Sequence, residues 1–445
     1  MSKVKSIFSC SDCEYQSVKW LGCCPECNNW NTFTESVPTP TQPKKGSSKK
    51  IDLTHLTSIA TQEQPRLFTD IDEWDRVMGG GIMQGSLIIL TGDPGIGKST
   101  LLLQVSNALA QNNKVFYFST EESLNQVKQR AHRIECINSN LLFSDNADLE
   151  TIISTAIQEK PDILILDSIQ NCYTANSQTY PGSIGQLRES TFQLMRLAKE
   201  HNISVILTGH ITKEGNIAGP KTLEHMVDAV FYLQGEDRWQ TRVLRSVKNR
   251  FGTINELGFF EMNANGMQEV SNINQHLIDE LSQTPGSVLV SIIEGSRPIL
   301  LELQALTIES KMPMPQRVIS GLDHKEVVLI AAILEKYLHI KLSSQDIFFK
   351  VSGGFKLKGS SSDLGIALAL LSSYFQQPLP EKTIALGEIS LTGQIKPINQ
   401  INTLVKEAEK FGIKQLLVAK NQKMDSTNSH VKKFDNLYEL LSLFS

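Results

Sequence analysis

Beyond residue 50 the chain alternates short apolar runs with amphipathic stretches. Ser86 to Leu90, Val115 to Phe118, Ile163 to Leu166, Ser204 to Leu207 and Ala229 to Leu233 read as strands, and Thr100 to Ala110 as a helix. Strands alternating with helical patterns predict an α/β fold with a parallel sheet over residues 51–275. After Asn272 the texture changes: Pro285 and Gly286 precede a strand-like Ser287 to Ile293, and Lys325 to Lys336 is strongly helical. We therefore expect a domain boundary near residue 275 and a C-terminal domain over 276–445. Residues 36–50 are rich in Ser, Thr, Pro, Gly and Lys without apolar period, as in a flexible linker, and set off a small module over 1–35. There is no internal repeat.

The length, 445 residues, accommodates two or three such units. With 40% hydrophobic and 20% charged residues, and glycine and proline scattered without period, the chain is neither collagen-like, coiled-coil nor wholly disordered. Basic residues number 43 against 47 acidic, a net charge of −4, so no global positive field draws it onto nucleic acid or anionic lipid, and DNA contact requires local patches. The longest apolar runs, 327–334 and 364–371, fall short of the roughly 20 residues of a membrane-spanning helix. Lys3 and Lys5 are followed by Ser9, Cys10, Ser11 and Asp12 rather than by a signal-peptide core, so we expect a cytoplasmic protein with no membrane partner.

Five of the seven cysteines lie between Cys10 and Cys27. Cys10/Cys13 and Cys24/Cys27 form two CxxC hooks, the pattern that folds four thiolates around tetrahedral Zn²⁺, and some 35 residues need such a staple in place of a core. Cys23 lacks the spacing and is read as a bystander; Cys136 and Cys172 are read as buried thiols. Residues 1–50 hold seven lysines and four acids, +3, which the four-thiolate zinc centre reduces to +1. That charge is a weak case for DNA. Trp20, Trp30 and Tyr15 have the chemistry to stack on bases, yet in so small a module we expect them in its mini-core, and favour docking to a protein slightly over direct DNA binding.

Gly92-Asp93-Pro94-Gly95-Ile96-Gly97-Lys98-Ser99 matches GxxxxGK[ST] between a strand and a helix, and Thr100 follows. Such glycines let backbone N–H groups curl around phosphates at a helix N-terminus, with Lys98 on the β/γ-phosphates of ATP and the Ser99 hydroxyl on Mg²⁺. The apolar strand 163–166 ends in Asp167, a carboxylate placed to hold Mg²⁺. Glu121 and Glu122 follow the strand Val115 to Phe118; Glu121 is the candidate base for the attacking water, and a helix-start acid is the alternative reading for both. His210 ends another strand, either as a γ-phosphate sensor leading into Ile211 to Pro220 or as a satisfied surface histidine. Lys248 and Arg250, two residues apart on extended chain, face one side and suit a phosphate of nucleotide or DNA, or simply a solvated turn.

Together the cysteine hooks, the phosphate loop, the run Gly209 to Asp228 and Lys248-Asn-Arg-Phe-Gly252 resemble the RadA family of bacterial DNA repair proteins over the whole chain. The resemblance implies a RecA-like P-loop ATPase core and a hexameric, ATP-driven motor on single-stranded and branched DNA that assists the RecA recombinase. It also implies cross-subunit nucleotide contacts by Lys248 and Arg250. From about residue 346 onward, Lys358 to Gly365 and Gly387 to Ile398 resemble the proteolytic domain of Lon, an α+β domain. Ser361 falls near the nucleophile position of that family, but its lysine position holds Asn402, and an amide cannot serve as the base of a serine–lysine dyad. A scaffold for ring assembly and DNA contact is therefore expected there, without protease activity. The rivals to a DNA-dependent ATPase of helicase type are an ATP-switched adaptor for DNA or RecA and, disfavoured by Asn402, an ATP-dependent protease.

Overall fold

A computed structural model describes residues 7–11, 16–17, 19–25, 27, 29–36, 55, 65–174, 182–210, 223–235, 241–279, 281, 284–352, 355–357, 359–427 and 429–444. It contains two compact units, 1–63 and 64–445. Cys13, Tyr15, Lys358, the linker 37–50 and residues 211–222 lie outside the described residues. Among the described residues no helix is long and apolar enough to cross a membrane.

In the first unit β1 (Ile7–Cys10) pairs antiparallel with β2 (Gln16–Ser17) and β3 (Phe33–Ser36). Its small core is Cys10, Cys24 and Phe33, with Phe8, Leu21 and Cys27 packed against it. Trp20 and Trp30 are not in it: they are 52% and 73% exposed, which corrects the expectation of a tryptophan mini-core. The physical reason is that thiolates converging on one point replace apolar bulk as the organiser of so short a chain.

The second unit opens with a short ribbon, β4 (Arg66–Leu67) and β5 (Ile82–Met83), around α1 (Asp72–Met78). A nine-stranded sheet follows. Its parallel strands are β6 (Leu87–Gly92), β7 (Val115–Ser119), β8 (Leu141–Ser144), β9 (Ile163–Asp167), β10 (Ser204–His210) and β11 (Ala229–Gly235). Three antiparallel strands extend it: β12 (Thr241–Asn249), β13 (Leu257–Asn263) and β14 (Gly266–Glu269). The order is β14-β13-β12-β11-β6-β10-β9-β7-β8, so β6 lies at the centre, one strand away from β9. Strands β6, β7 and β9 are buried at every position, which is why they read as unbroken apolar runs. The helices α2 (Lys98–Leu109), α3 (Leu124–Arg133), α4 (Leu149–Glu159) and α5 (Ile184–His201) cover the two faces, each with its own apolar cluster.

The chain then passes through α6 (Ile273–Asp279) into a seven-stranded mixed sheet. Its strands are β15 (Ser287–Glu294), β16 (Arg297–Glu309), β17 (Arg317–Ser320), β18 (Gln345–Val351), β19 (Thr383–Leu386), β22 (Gln415–Ala419) and β23 (His430–Phe434). A small ribbon of β20 (Glu388–Ile389) and β21 (Ile395–Lys396) lies beside it. The helices α7 (His324–Leu338), α8 (Asp363–Phe375) and α9 (Ile401–Lys410) complete this lobe. Leu257, Phe259, Val270, Ile273 and Leu277 join the core of the second lobe. Glu73 of α1, 2% exposed, accepts from Phe259 N (2.9 Å) and from Arg297 Nη1 (3.1 Å) of β16, so a buried ion pair also crosses between the lobes.

Candidate nucleotide and metal sites

Gly92 ends β6, and the loop turns on an Ile96 N–H to Asp93 O bond (3.3 Å) before α2 starts at Lys98. Gly97 has φ +109°, a conformation open to glycine, and a Cβ there would lie 2.3 Å from Met267 Cε. Lys98 is buried, and its Nζ donates to the carbonyls of Gly92 (2.9 Å) and Asp93 (3.0 Å). Burial pushes its pKa down, while the charges of Asp167, Glu121 and Asp93 act in the opposite direction. A buried ammonium at the start of a helix, beside Gly95 where an added Cβ would meet only open space, fits a polyphosphate. Ser99 lies in the first turn of α2, and Thr100 is buried behind it.

Asp167 ends β9 in register with Ser119 of β7. Its two carboxylate oxygens accept from Tyr117 OH (2.8 Å) and Thr208 Oγ1 (2.6 Å), which fixes the plane of the carboxylate. Burial and the charge of Asp167 push the Tyr117 phenol well above its usual range, so it remains a donor. The peptide after Asp167 is cis, and the Ser168 hydroxyl donates to Glu121 Oε1. Thr120 closes this corner: its hydroxyl donates to Ser168 O (2.7 Å) and accepts from Ser168 N (2.9 Å). Glu122 instead forms an ion pair with Arg130 of α3. The two adjacent glutamates thus have different surroundings: Glu121 is tied to the residue after Asp167, Glu122 to a helix. His210 stands in register with Gly92 at the end of β10.

Lys248 and Arg250 lie elsewhere. β11 runs parallel to β6 with Ala229 beside Ile88 and Leu233 beside Gly92, and β12 runs back, so Lys248 sits opposite Val230 at the far end of the sheet from the phosphate loop. Lys248 Nζ donates to the carbonyls of Glu224 (2.5 Å) and Val227 (2.7 Å). Arg250, with a side chain 60% exposed, reaches Asp228 at 3.4 Å. Burial and the Arg250 charge both lower the Lys248 pKa. Within one chain these cations do not join the loop residues.

Tyr117, Thr208 and Ser168 were not read from the sequence as part of the site. Tyr117 and Thr208 had a signal, being polar positions near the ends of apolar strands that flank the Asp167 strand. Arg242, whose Nε donates to Ile96 O at 3.2 Å, had none, because its partner lies far back in the chain.

In the first unit the Sγ atoms of Cys10, Cys24 and Cys27 lie within 4.8 Å of one another, Cys10 and Cys27 at 3.7 Å. Thiolates at the corners of a tetrahedron with Zn–S near 2.3 Å stand roughly 3.8 Å apart, so the donor set fits zinc. Cys23 is not part of this cluster among the described residues. Cys136 and Cys172 are buried, with thiol pKa values pushed up to about 11 and about 12, inert as expected. In the second lobe Ser361 lies in a one-turn 3-10 helix, its carbonyl accepting from Gly387 N (3.2 Å), and the Asn402 amide oxygen accepts from Asp425 N (3.0 Å). These two contacts engage Ser361 and Asn402 separately.

Comparison with known proteins agrees with this anatomy. Residues 61–216 match the AAA domain family, 314–422 the family of subunit ChlI of Mg-chelatase, and 8–35 the rubredoxin metal binding domain. The DNA repair protein RadA of Bacillus subtilis (strain 168) is 44% identical over 427 residues, 94% of this chain and 93% of that one. RadA of Pseudomonas aeruginosa is 41% identical over 423 residues, again 94% and 93%. The crystal structure of the RadB recombinase covers 46% of this chain and 100% of that one, at 24% identity and a TM-score of 0.38. The chain is a RecA-like P-loop ATPase fold with an N-terminal zinc ribbon and a C-terminal Lon-like lobe, and it belongs to the RadA family of DNA repair proteins.

Proposed function

We propose that the chain hydrolyses ATP to move along single-stranded and branched DNA during recombinational repair, as a hexameric ring acting with the RecA recombinase in the cytoplasm. The observation that carries the reading is the convergence of Lys98, Asp167 and Glu121 beyond the C-terminal ends of the parallel strands β6, β9 and β7. ATP bound with Mg²⁺ would supply the phosphoanhydride to be broken. Lys98 offsets anionic charge at the loop, while the Ser99 hydroxyl and the Asp167 carboxylate hold the cation. Glu121 orients a water molecule and takes its proton, and the Ser168 hydroxyl aims that carboxylate. The register of His210 with Gly92 on the adjoining strand supports a phosphate-sensing role for that residue.

The distance of Lys248 and Arg250 from their own phosphate loop supports a role toward the nucleotide of a neighbouring subunit, where cations stabilise the charge that develops during transfer. The exposed indoles of Trp20 and Trp30 support a docking role for the zinc module. The separate engagements of Ser361 and Asn402 support a second lobe without peptidase activity.

The test is steady-state phosphate release with and without single-stranded DNA, alongside strand separation of a forked duplex. Turnover should rise several-fold with DNA and the fork should open. Binding of DNA that depends on ATP, with no stimulated turnover and no opening, would replace the motor with an ATP-switched adaptor.

A further inference from the structure

The peptide between Ile96 and Gly97 lies in the phosphate loop with a flexible joint on one side, since Gly97 tolerates either sign of φ. In a trans peptide the carbonyl and the N–H point in opposite directions. Whatever fixes the Ile96 carbonyl therefore also fixes the direction of the Gly97 N–H, one of the donors that a phosphate at this helix start requires.

The loop carbonyls are fastened from several directions. Those of Gly92 and Asp93 accept from Lys98 Nζ, and that of Gly97 accepts from Leu101 N at 2.9 Å within α2. The Ile96 carbonyl accepts from Arg242 Nε at 3.2 Å, a residue of the antiparallel extension of the sheet. Arg242 is itself braced, with Nη1 donating to the carbonyl of Thr241 at 3.2 Å. Its register partner across the strands is Gly235. A Cβ on Gly235 would lie 2.6 Å from Ile96 Cδ1 and 3.7 Å from Arg242 Nη1, so the absence of a side chain there leaves room for both. Arg242 stands at the phosphate-loop end of β12, the opposite end from Lys248.

We infer that Arg242 is a positioning residue for the phosphate loop: by holding the Ile96 carbonyl it keeps the Gly97 N–H turned toward the phosphates of the bound nucleotide. The inference rests on the ATP-binding reading of this loop and adds to it a residue that touches the loop and not the nucleotide. It acts on phosphates alike in the ground state and the transition state, so its loss raises KM and leaves kcat nearly unchanged.

Arg242→Lys separates this role from simple charge, because lysine keeps the cation but places a methylene where Nε stands. Equilibrium binding of a fluorescent ADP analogue and its displacement by inorganic pyrophosphate are measured for wild type, Arg242→Lys and Arg242→Met, with thermal melting of each in the absence of nucleotide. Both variants should bind ADP and pyrophosphate roughly tenfold more weakly, the size of one lost charge-assisted hydrogen bond. Adenosine binding and the melting temperature should not move. Wild-type affinity in Arg242→Lys, or a loss equally large for adenosine, overturns the inference. Failure of the wild type itself to bind ADP or pyrophosphate would overturn the ATPase reading instead.

Discussion

Two sites, one in each lobe, are marked by sequence motifs, and they differ in what the side chains do. At the phosphate-loop end of the first sheet, Asp167 is held by Tyr117 and Thr208, Glu121 by Ser168, and Lys98 sits within reach of all their charges. In the second lobe Ser361 and Asn402, which stands where the Lon family has its lysine, are engaged separately, Ser361 through its carbonyl with Gly387 and Asn402 with Asp425. A motif conserves a shape. Chemistry requires that acid, base and cation also be held against one another, and only the first site meets that condition.

The broadest test of the contrast is Lys98→Ala, which should abolish turnover and weaken ADP binding roughly a hundredfold by removing the cation under the loop; affinity within a few-fold of wild type would break the assignment of this end as the working site. Next, Glu121→Gln should lower phosphate release by about 10² to 10⁴ while leaving ADP affinity intact, and Glu122→Gln, which touches the Arg130 pair, should cost far less. The reverse ranking would move the base to Glu122.

In the second lobe, substitutions near Ser361 should affect stability rather than turnover. Asp363, buried at the start of α8 beside Glu326 and Glu388, has its pKa pushed up to about 7, first by burial and then by those neighbours, despite a bond from Ile389 N. The unfolded chain releases that proton near pH 4, so between about pH 4 and 7 the folded state holds a proton that the unfolded state lacks, and stability falls as pH rises through that window. Melting curves should show Asp363→Asn losing part of the decline from pH 5 to 7 seen in the wild type; an unchanged slope would place the pH dependence elsewhere. The smallest effect is expected for Ser361→Ala, with no change in ATP turnover and stability within about 0.5 kcal/mol. Measurable cleavage of labelled casein by the wild type, lost in this variant, would erase the contrast between the sites.

How much of this was legible follows from where the forces act. The central strands read directly because they are buried on both faces, whereas β8, four residues with a half-exposed pattern, gave no run to read. The phosphate loop and the cysteine hooks are contiguous and could be located in full. Thr208 and Tyr117 depended on knowing which strands flank β9, and Arg242 on the register of β11 with β12, neither of which any local pattern carries. Trp20 and Trp30 were expected inside and lie outside because metal-ligand geometry, not apolar area, organises the first unit.

The buried Glu73 has a consequence for how this protein can be taken apart. Its carboxylate bonds Phe259 of the first sheet and Arg297 of the second lobe, and Arg297 also stacks over the Phe259 ring at 5.2 Å. A fragment ending near residue 275 would leave that acid with Arg76 but without Arg297, and would present Leu257 and Phe259 as a bare apolar face. Such a piece would be a poor stand-in for the ATPase: sticky, marginally folded, and apt to be mistaken for an inactive enzyme. By the same logic the two lobes are not interchangeable cassettes, and a chimera that swaps one of them must carry α1, β13 and the start of β16 across as a matched set.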